Sequence, residues 1–234
     1  MKIIRYGSYD DMDVEFLDEF KYVKTTTYSN FKPGCVKNPY DRTLFGVGYM
    51  GVGKYMAKVN GKMTDEYEKW TGLIQRCYYD DEMFPTYCDK VTVCEEWHNF
   101  QNFAEWLEKN KYKVNERLHL DKDILFPNCK MYSPKTCILT PQRINMLFSN
   151  KPNKRSLPNG IYKTKSGKYL AKYNHKELGT YRTVEEADAK YAEAKENKIK
   201  EVADEYKDII PKKLYDSLYA YKVDIRNDKN YVTA

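Results

Sequence analysis

Apolar residues recur three and four apart in TDEYEKWTGLIQRCYY, residues 64–79, where Tyr67, Trp70, Ile74 and Cys77 form one stripe. The stripe predicts a helix with Thr64 as its N-cap and Asp65 and Glu66 at its positive end. A second helix is predicted around EEWHNFQNFAEWLEKN, with Trp97, Phe100, Phe103, Ala104 and Leu107 at core spacing and His98 beside the stripe as a surface or capping residue. Upstream, residues 1–62 change period. DVEFL, KYVKTTTY and KYMAKVNGK are rich in β-branched and aromatic residues and predict strands, broken at KPG, KNPYD and GVGYMGVG. No Gly-Lys-Ser/Thr follows the glycines at 46, 48, 51 and 53, so they predict a bulged hairpin rather than a phosphate loop.

After residue 149 the periodicity stops. SNKPNKRSLPNG gathers proline, asparagine, lysine and serine and predicts a flexible linker. Three short strands follow, GIYKT, KYLAKYN and KELGTY. A long helix then starts at Thr183, where Thr183 and Glu186 make a capping box and Ala187, Tyr191, Ala194 and Val202 share a face. Pro211 opens a last short helix, and the end, RNDKNYVTA, is expected to fray. The expected fold class is α+β. Its expected parts are a β-rich region over 1–62, a helical middle over 63–149, a linker over 150–157, a three-strand-plus-helix module over 158–207, and a helix and tail over 208–234.

Charge sharpens this picture. The formal net charge of +6 is moderate, but residues 150–176 are strongly basic while YDDMDVEFLDEF near the start is acidic. A concentrated basic stretch suits phosphate contact, and the acidic one is either a solvated face or a docking surface. Twenty-three tyrosines supply rings with polar tips, which suit thin domains and wet binding faces. The six cysteines, at 35, 77, 88, 94, 129 and 137, form no Cys-x-x-Cys pair. With only three histidines, they read as reduced, mostly buried thiols rather than a zinc site. No apolar signal core or membrane-length run is present, so a soluble, cytoplasmic chain is expected.

The segment NGIYKTKSGKYLAKYNHKELGTYRTVEEADAKYAEAK resembles the ethylene-response-factor type of DNA-binding domain found in phage integrases and homing endonucleases, through GIY, SGKYLAKY, LGTY and TVEEADAKYAEA. The resemblance implies a three-stranded antiparallel sheet on one helix, with the exposed sheet face entering a DNA groove. The residues agree, since Tyr169, Ala171 and Tyr173 alternate with Lys168, Lys172 and Asn174. The DNA-contacting set is then Tyr162, Lys163, Lys165, Lys168, Lys172, Asn174 and His175, with lysines on phosphates and Asn174 and Tyr162 reaching base edges. The arginines usual in plant relatives are largely replaced by lysine, tyrosine and asparagine, so no site preference carries over.

The stretch LDKDILFPNCKMYSPKTCILTPQRIN, with the upstream YEKWTGLIQRCY and VTVCEEWHNFQNFAEW, resembles the HNH homing endonucleases of phages over residues 64–148. The resemblance implies a ββα unit holding one divalent metal, Mg²⁺ or Mn²⁺, with a histidine that deprotonates the attacking water. Asp121 matches the metal aspartate and Asn145 the ligand on the helix. Lys122 stands where the general base belongs, and Thr136 where the asparagine that orients it belongs. An ammonium does not accept a proton unless its pKa is pulled far down. His119, two residues before Asp121, points to the same face of a strand, as does Asp123, so a shifted register with His119 as base is the alternative. The structural alternatives are Asp121 as a turn-capping carboxylate and Asn145 as a hydrogen-bonder on the helix.

The expected function is duplex DNA binding by a phage-type protein with a degraded nuclease centre. Two alternatives stand beside it: an active metal-dependent nicking enzyme, and an interaction protein that binds a host defence or regulatory protein. A monomer in the cytoplasm of an infected bacterium is expected, with no membrane partner.

Overall fold

Alternation, helix caps and primed turns account for most of the elements in the computed structural model, which describes residues 1–79, 90–149, 153–154 and 156–231. The fold is mixed α and β, with six α-helices and several small sheets among the described residues. The chain divides into two compact units. One is Met1–Lys109 with Lys130–Ser133, and the other is Asn110–Cys129 with Pro134–Ala234. The division falls inside the stretch expected to form one HNH-like domain. No helix among the described residues is long and apolar enough to cross a membrane.

The first unit opens with a three-stranded antiparallel sheet of β1 (Lys2–Ser8), β2 (Asp11–Glu15) and β3 (Val23–Thr26). One face of β2 sends Met12 and Val14 into a small core with Val36, Phe16, Tyr28 and Phe31, the last two on α1 (Tyr28–Phe31). The acidic segment is largely consumed inside this unit. Arg5 pairs with both Asp11 and Asp13, Lys2 pairs with Glu15, and Asp18 accepts from the N–H groups of Phe20 and Lys21. KYMAKVNGK does not run on as one strand. It folds back at Asn60 and Gly61, both with positive φ, into a hairpin of β4 (Lys58–Val59) and β5 (Lys62–Met63). A primed turn of this kind matches the strand twist and favours Asn-Gly. The GVGYMGVG hairpin is also absent as such. Only an isolated bridge joins Leu44 to Gly48, and Tyr49 bridges in parallel to Asn99 instead.

Thr64 caps α2 (Asp65–Tyr78) by accepting from the Tyr67 N–H. The buried stripe is Trp70, Leu73, Ile74 and Cys77. After β6 (Thr92–Val93), residues Glu95–His98 form a 3-10 turn, so α3 (Phe100–Asn110) begins later than the apolar spacing suggested. Trp97, Phe100, Phe103, Ala104 and Leu107 are all buried, and the Trp70 indole N–H donates to the Trp97 carbonyl at 2.8 Å. His98 is buried rather than a surface residue. Its Nδ1 lies 3.2 Å from Glu95 and its Nε2 lies 3.4 Å from the Tyr78 hydroxyl. Burial pushes its pKa down. β6 pairs in parallel with Met131–Tyr132, the eighth strand in chain order (β8).

The second unit holds β7 (Leu118–Asp121) antiparallel to β9 (Ile138–Pro141), followed at once by α4 (Gln142–Leu147). It continues with β10 (Ile161–Lys163), β11 (Tyr169–Tyr173) and β12 (Lys176–Tyr181), an antiparallel sheet in that order. Then come α5 (Val184–Glu205) and α6 (Lys212–Ala220). Thr183 and Glu186 complete the expected capping box of α5. At 22 residues this helix is long enough to serve two cores. Its first half lays Ala187 and Tyr191 on Ile161, Tyr169, Ala171, Leu178 and Tyr181 of the sheet. Its second half buries Ile199, Val202 and Ala203, with Tyr206 just beyond, against Ile124, Ile138 and Ile144 of the β7–β9–α4 segment and Leu214 and Leu218 of α6. Arg143 of α4 reinforces this second contact through a two-pronged pair with Glu205. The sheet and the β7–β9–α4 segment are therefore held by one helix, not hinged about a flexible joint.

Of the expected linker, residues 150–152 and 155 lie outside the described residues. Around them the backbone is tied down. The Asn153 N–H donates to Asn230 Oδ1 at 2.6 Å, and Asn159 donates to Asp228 through its backbone and its side chain. The tail accordingly does not fray over 226–231. Asp228 is a hub that also accepts from the backbone N–H and the amide of Asn230. Cys77 and Cys137 are buried, Cys94 and Cys129 half-buried and Cys35 exposed, while Cys88 lies outside the described residues.

Candidate nucleic-acid interface

The register of the C-terminal sheet sorts its side chains into two faces. Ile161, Ala171 and Gly179 lie in one row, and Lys163, Tyr169 and Tyr181 lie in another on the same side. Both rows face α5, since Ile161, Tyr169, Ala171 and Tyr181 pack with Ala187 and Tyr191, and the ring of Tyr173 meets that of Tyr191 edge-on at 5.5 Å. The row between them, Tyr162, Leu170 and Thr180, therefore points outward. Gly160 makes the start of this sheet possible. Its φ is +80°, and a Cβ there would run into the Tyr191 ring and come within 2.6 Å of the Lys172 carbonyl.

Lys165 and Lys168 are exposed at the β10–β11 turn, which Gly167 closes with a φ of +80°. Lys163 lies in a helix-side row and reaches solvent at the sheet's edge, so it borders the outward face rather than standing on it. Lys172 is held: its ammonium lies 2.8 Å from Glu177 and 5.9 Å from the centre of the Tyr162 ring. Glu177 sits beside a bulge, because Ala171 pairs with Gly179 but Lys172 with Glu177, which leaves Leu178 as the extra residue. Asn174 and His175 are off the strand altogether. They are the two central residues of the β11–β12 turn, with φ of +46° and +64°, and both are exposed. Positive φ at both positions explains an asparagine there as turn chemistry.

Sequence reasoning passed over Leu170, Thr180, Lys176 and Arg182. The last two are exposed: Lys176 starts β12 at the far turn, in the helix-side row of Tyr173, and so borders the outward face as Lys163 does, and Arg182 lies one residue past β12. Among the described residues no carboxylate pairs with the side chains of Lys163, Lys165, Lys168, Lys176 or Arg182. The strand register is the signal that would have found them.

The β7–β9–α4 segment brings together only some of the residues expected of a nuclease. His119 stands opposite Thr140 and Asp121 opposite Ile138, so both share one face of β7. Asp123 does not join that face. The strand ends at Asp121, and residues 122–126 form a turn in which the Phe126 N–H donates to the Lys122 carbonyl. Asp121 caps this turn, accepting from the Ile124 N–H at 2.8 Å. Burial pushes its carboxyl pKa up. Lys122 is only 5% exposed, and its ammonium lies 2.7 Å from Asp123. Thr136 is half-buried ahead of β9, with its hydroxyl 3.8 Å from the Cys137 sulfur. Asn145 is half-buried on α4.

Asp121 gives one oxygen to the turn, and Asp123 is engaged by Lys122. Among the described residues no three His, Cys, Asp or Glu side chains come together as a metal-binding group. The arrangement can hold the turn after β7 in shape, with the Lys122 ammonium paired to Asp123. No family model, curated protein or solved structure matches the chain.

Proposed function

We propose that this chain is a duplex-DNA-binding protein whose contact surface is the outward face of β10–β12, and that its β7–β9–α4 segment has the outline of an HNH ββα unit with a degraded nuclease centre. The observation that carries this reading is the set of exposed cations bordering that face: Lys163, Lys165, Lys168, Lys176 and Arg182, none held by a carboxylate among the described residues. Cations left open in this way can exchange condensed counterions for phosphate contacts. The degraded centre is supported by the buried Lys122, whose ammonium pairs with the exposed Asp123, and by Asp121 acting as a turn cap.

The test pairs a binding isotherm with a cleavage assay. Retention of the full chain on duplex DNA is expected to fall steeply with salt, with a log–log slope of about 0.9 per phosphate contact. Lys165→Gln with Lys168→Gln is expected to lower that slope by about 2. A supercoiled plasmid with Mg²⁺ or Mn²⁺ is expected to stay intact over hours. Nicking that vanishes in Asp121→Ala would restore the enzyme reading, and loss in His119→Ala would make His119 its base. Absence of DNA retention at low salt would remove the DNA-binding reading altogether.

A further inference from the structure

One row of the outward sheet face carries no charged side chain, and the Lys172–Glu177 pair lies beside it. Tyr162 pairs with Leu170 and Leu170 with Thr180, so a ring, an isobutyl group and a methyl-bearing hydroxyl lie in one line across the three strands. Tyr162 is 37% exposed, Thr180 is exposed, and Leu170 between them is half-buried. The cations stand around this row. Lys165 and Lys168 are at one turn, Lys176 is at the other, and Lys163 is on the β10 edge, while Lys172 is drawn aside by Glu177. An apolar strip with a basic border matches a groove floor between two phosphate ridges.

Dimensions select the groove. Three strands are about 10 Å across their backbones, from two spacings of about 4.8 Å. The major groove is about 12 Å wide and admits this width, whereas the minor groove is about 6 Å wide and does not. On the major-groove floor the four bases differ in their donors and acceptors, and thymine alone presents a methyl group. A row of Tyr, Leu and Thr offers apolar surface to that methyl, and the Thr180 hydroxyl can meet the neighbouring O4 of thymine or N7 of adenine. The row itself offers no forked cation for guanine: the ammonium beside it, Lys172, is tied to Glu177, and the one guanidinium at its border, Arg182, stands past the end of β12.

We propose that the Tyr162–Leu170–Thr180 row reads thymine methyl groups in the major groove and gives the protein a preference for A·T-containing duplex. The inference rests on the DNA-binding reading above and adds its sequence class. It is tested by fluorescence anisotropy of the full chain on 20-base-pair duplexes at one salt concentration. The duplexes are an alternating A·T sequence, the same sequence with uracil in place of thymine, and a G·C sequence with and without 5-methylcytosine. Uracil lacks only the methyl, so each contacted group is expected to cost about fourfold in affinity, and two or more about tenfold or greater. The 5-methylcytosine duplex is expected to bind more tightly than its unmethylated twin. Leu170→Ala is expected to shrink the thymine–uracil difference while leaving the salt slope unchanged, and the wild-type comparison stands by itself should that variant not fold. Equal affinities for the thymine and uracil duplexes would overturn this inference and leave the DNA-binding reading in place. No binding to any duplex would overturn both.

Discussion

Replacing Asp188 by Asn is expected to stabilise the protein at neutral pH, which is unusual for a change at a buried polar position. Asp188 lies on α5 and is only 8% exposed. Burial is the largest influence on its carboxyl, and Asp228, Asp224 and Glu185 add repulsion that outweighs the attraction of Lys195, so its pKa is raised to about 6. Lys195, on the same helix, shows the reciprocal effect. Burial pushes its pKa down against the pull of Asp228 and Asp188. The unfolded chain titrates Asp188 near the ordinary value of about 3.9. Below that pH both states hold the proton and the group costs nothing. As the pH rises from about 4 to about 6 the unfolded chain gives up its proton while the folded chain keeps it, so stability is lost across this window and levels off above it.

Two decades of proton affinity at about 1.36 kcal/mol each make the full loss ~3 kcal/mol, an order-of-magnitude figure. Asparagine does not titrate, and among the described residues the Asp188 side chain makes no hydrogen bond that the change would break. The assay is urea denaturation of wild type and Asp188→Asn at half-unit steps from pH 4 to pH 8. The stability difference between them is expected to open in favour of the variant between pH 4 and pH 6.5 and then stay constant. A difference that is flat over this range, or that opens in favour of wild type, would show that Asp188 is not held protonated by its surroundings and would refute the reasoning.

Two further substitutions test the packing. Ile199→Ala, at a position 1% exposed, is expected to cost ~2–5 kcal/mol by urea titration. Amide exchange in β7 and β11 is expected to accelerate together in that variant, and acceleration confined to β7 would show that α5 does not couple the two segments. Gly160→Ala is expected to cost at least ~1–3 kcal/mol from its left-handed backbone alone, with the Tyr191 ring adding to that, and an unchanged melting temperature would contradict the close approach.

Helices were legible wherever a cap and a stripe coincided, as at Thr64 and Thr183. The inward side of the C-terminal sheet was legible from the alternation of Tyr169, Ala171 and Tyr173. What escaped had physical reasons. β1 carries Ile3 and Ile4 side by side and shifts register twice against β2, so no period of two survives to be read. Asn60–Gly61 is a strong turn signal set inside what looked like one strand. The tail is tied down by Asp228 and Asn230, acting on Asn159 and Asn153 about 70 positions away or more. At the candidate sites the hardest residue to read was Lys122, because lysine is almost never fully buried unless paired. Its partner is the adjacent and exposed Asp123, and nothing local announced that the lysine stem would be enclosed.

The second role of α5 was equally hidden. Ile199, Val202 and Ala203 read as the continuation of one amphipathic helix, but their partners Ile124, Ile138 and Ile144 lie more than 50 residues upstream. This sharing bears on how the protein would act under the DNA-binding reading. Two modules on a flexible tether explore relative positions, and the second gains an effective concentration set by the tether. Two segments packed on one helix have no such freedom. A duplex seated on the β10–β12 face meets the β7–β9–α4 segment at a single offset or not at all. Any contribution of Arg143, Asn145 or His119 to the same duplex must then be made without rearrangement, and Arg143 is already committed to Glu205. Under that reading the sheet would be the surface that determines affinity, while the β7–β9–α4 segment serves as the other half of the core that keeps α5, and through it the sheet, in place.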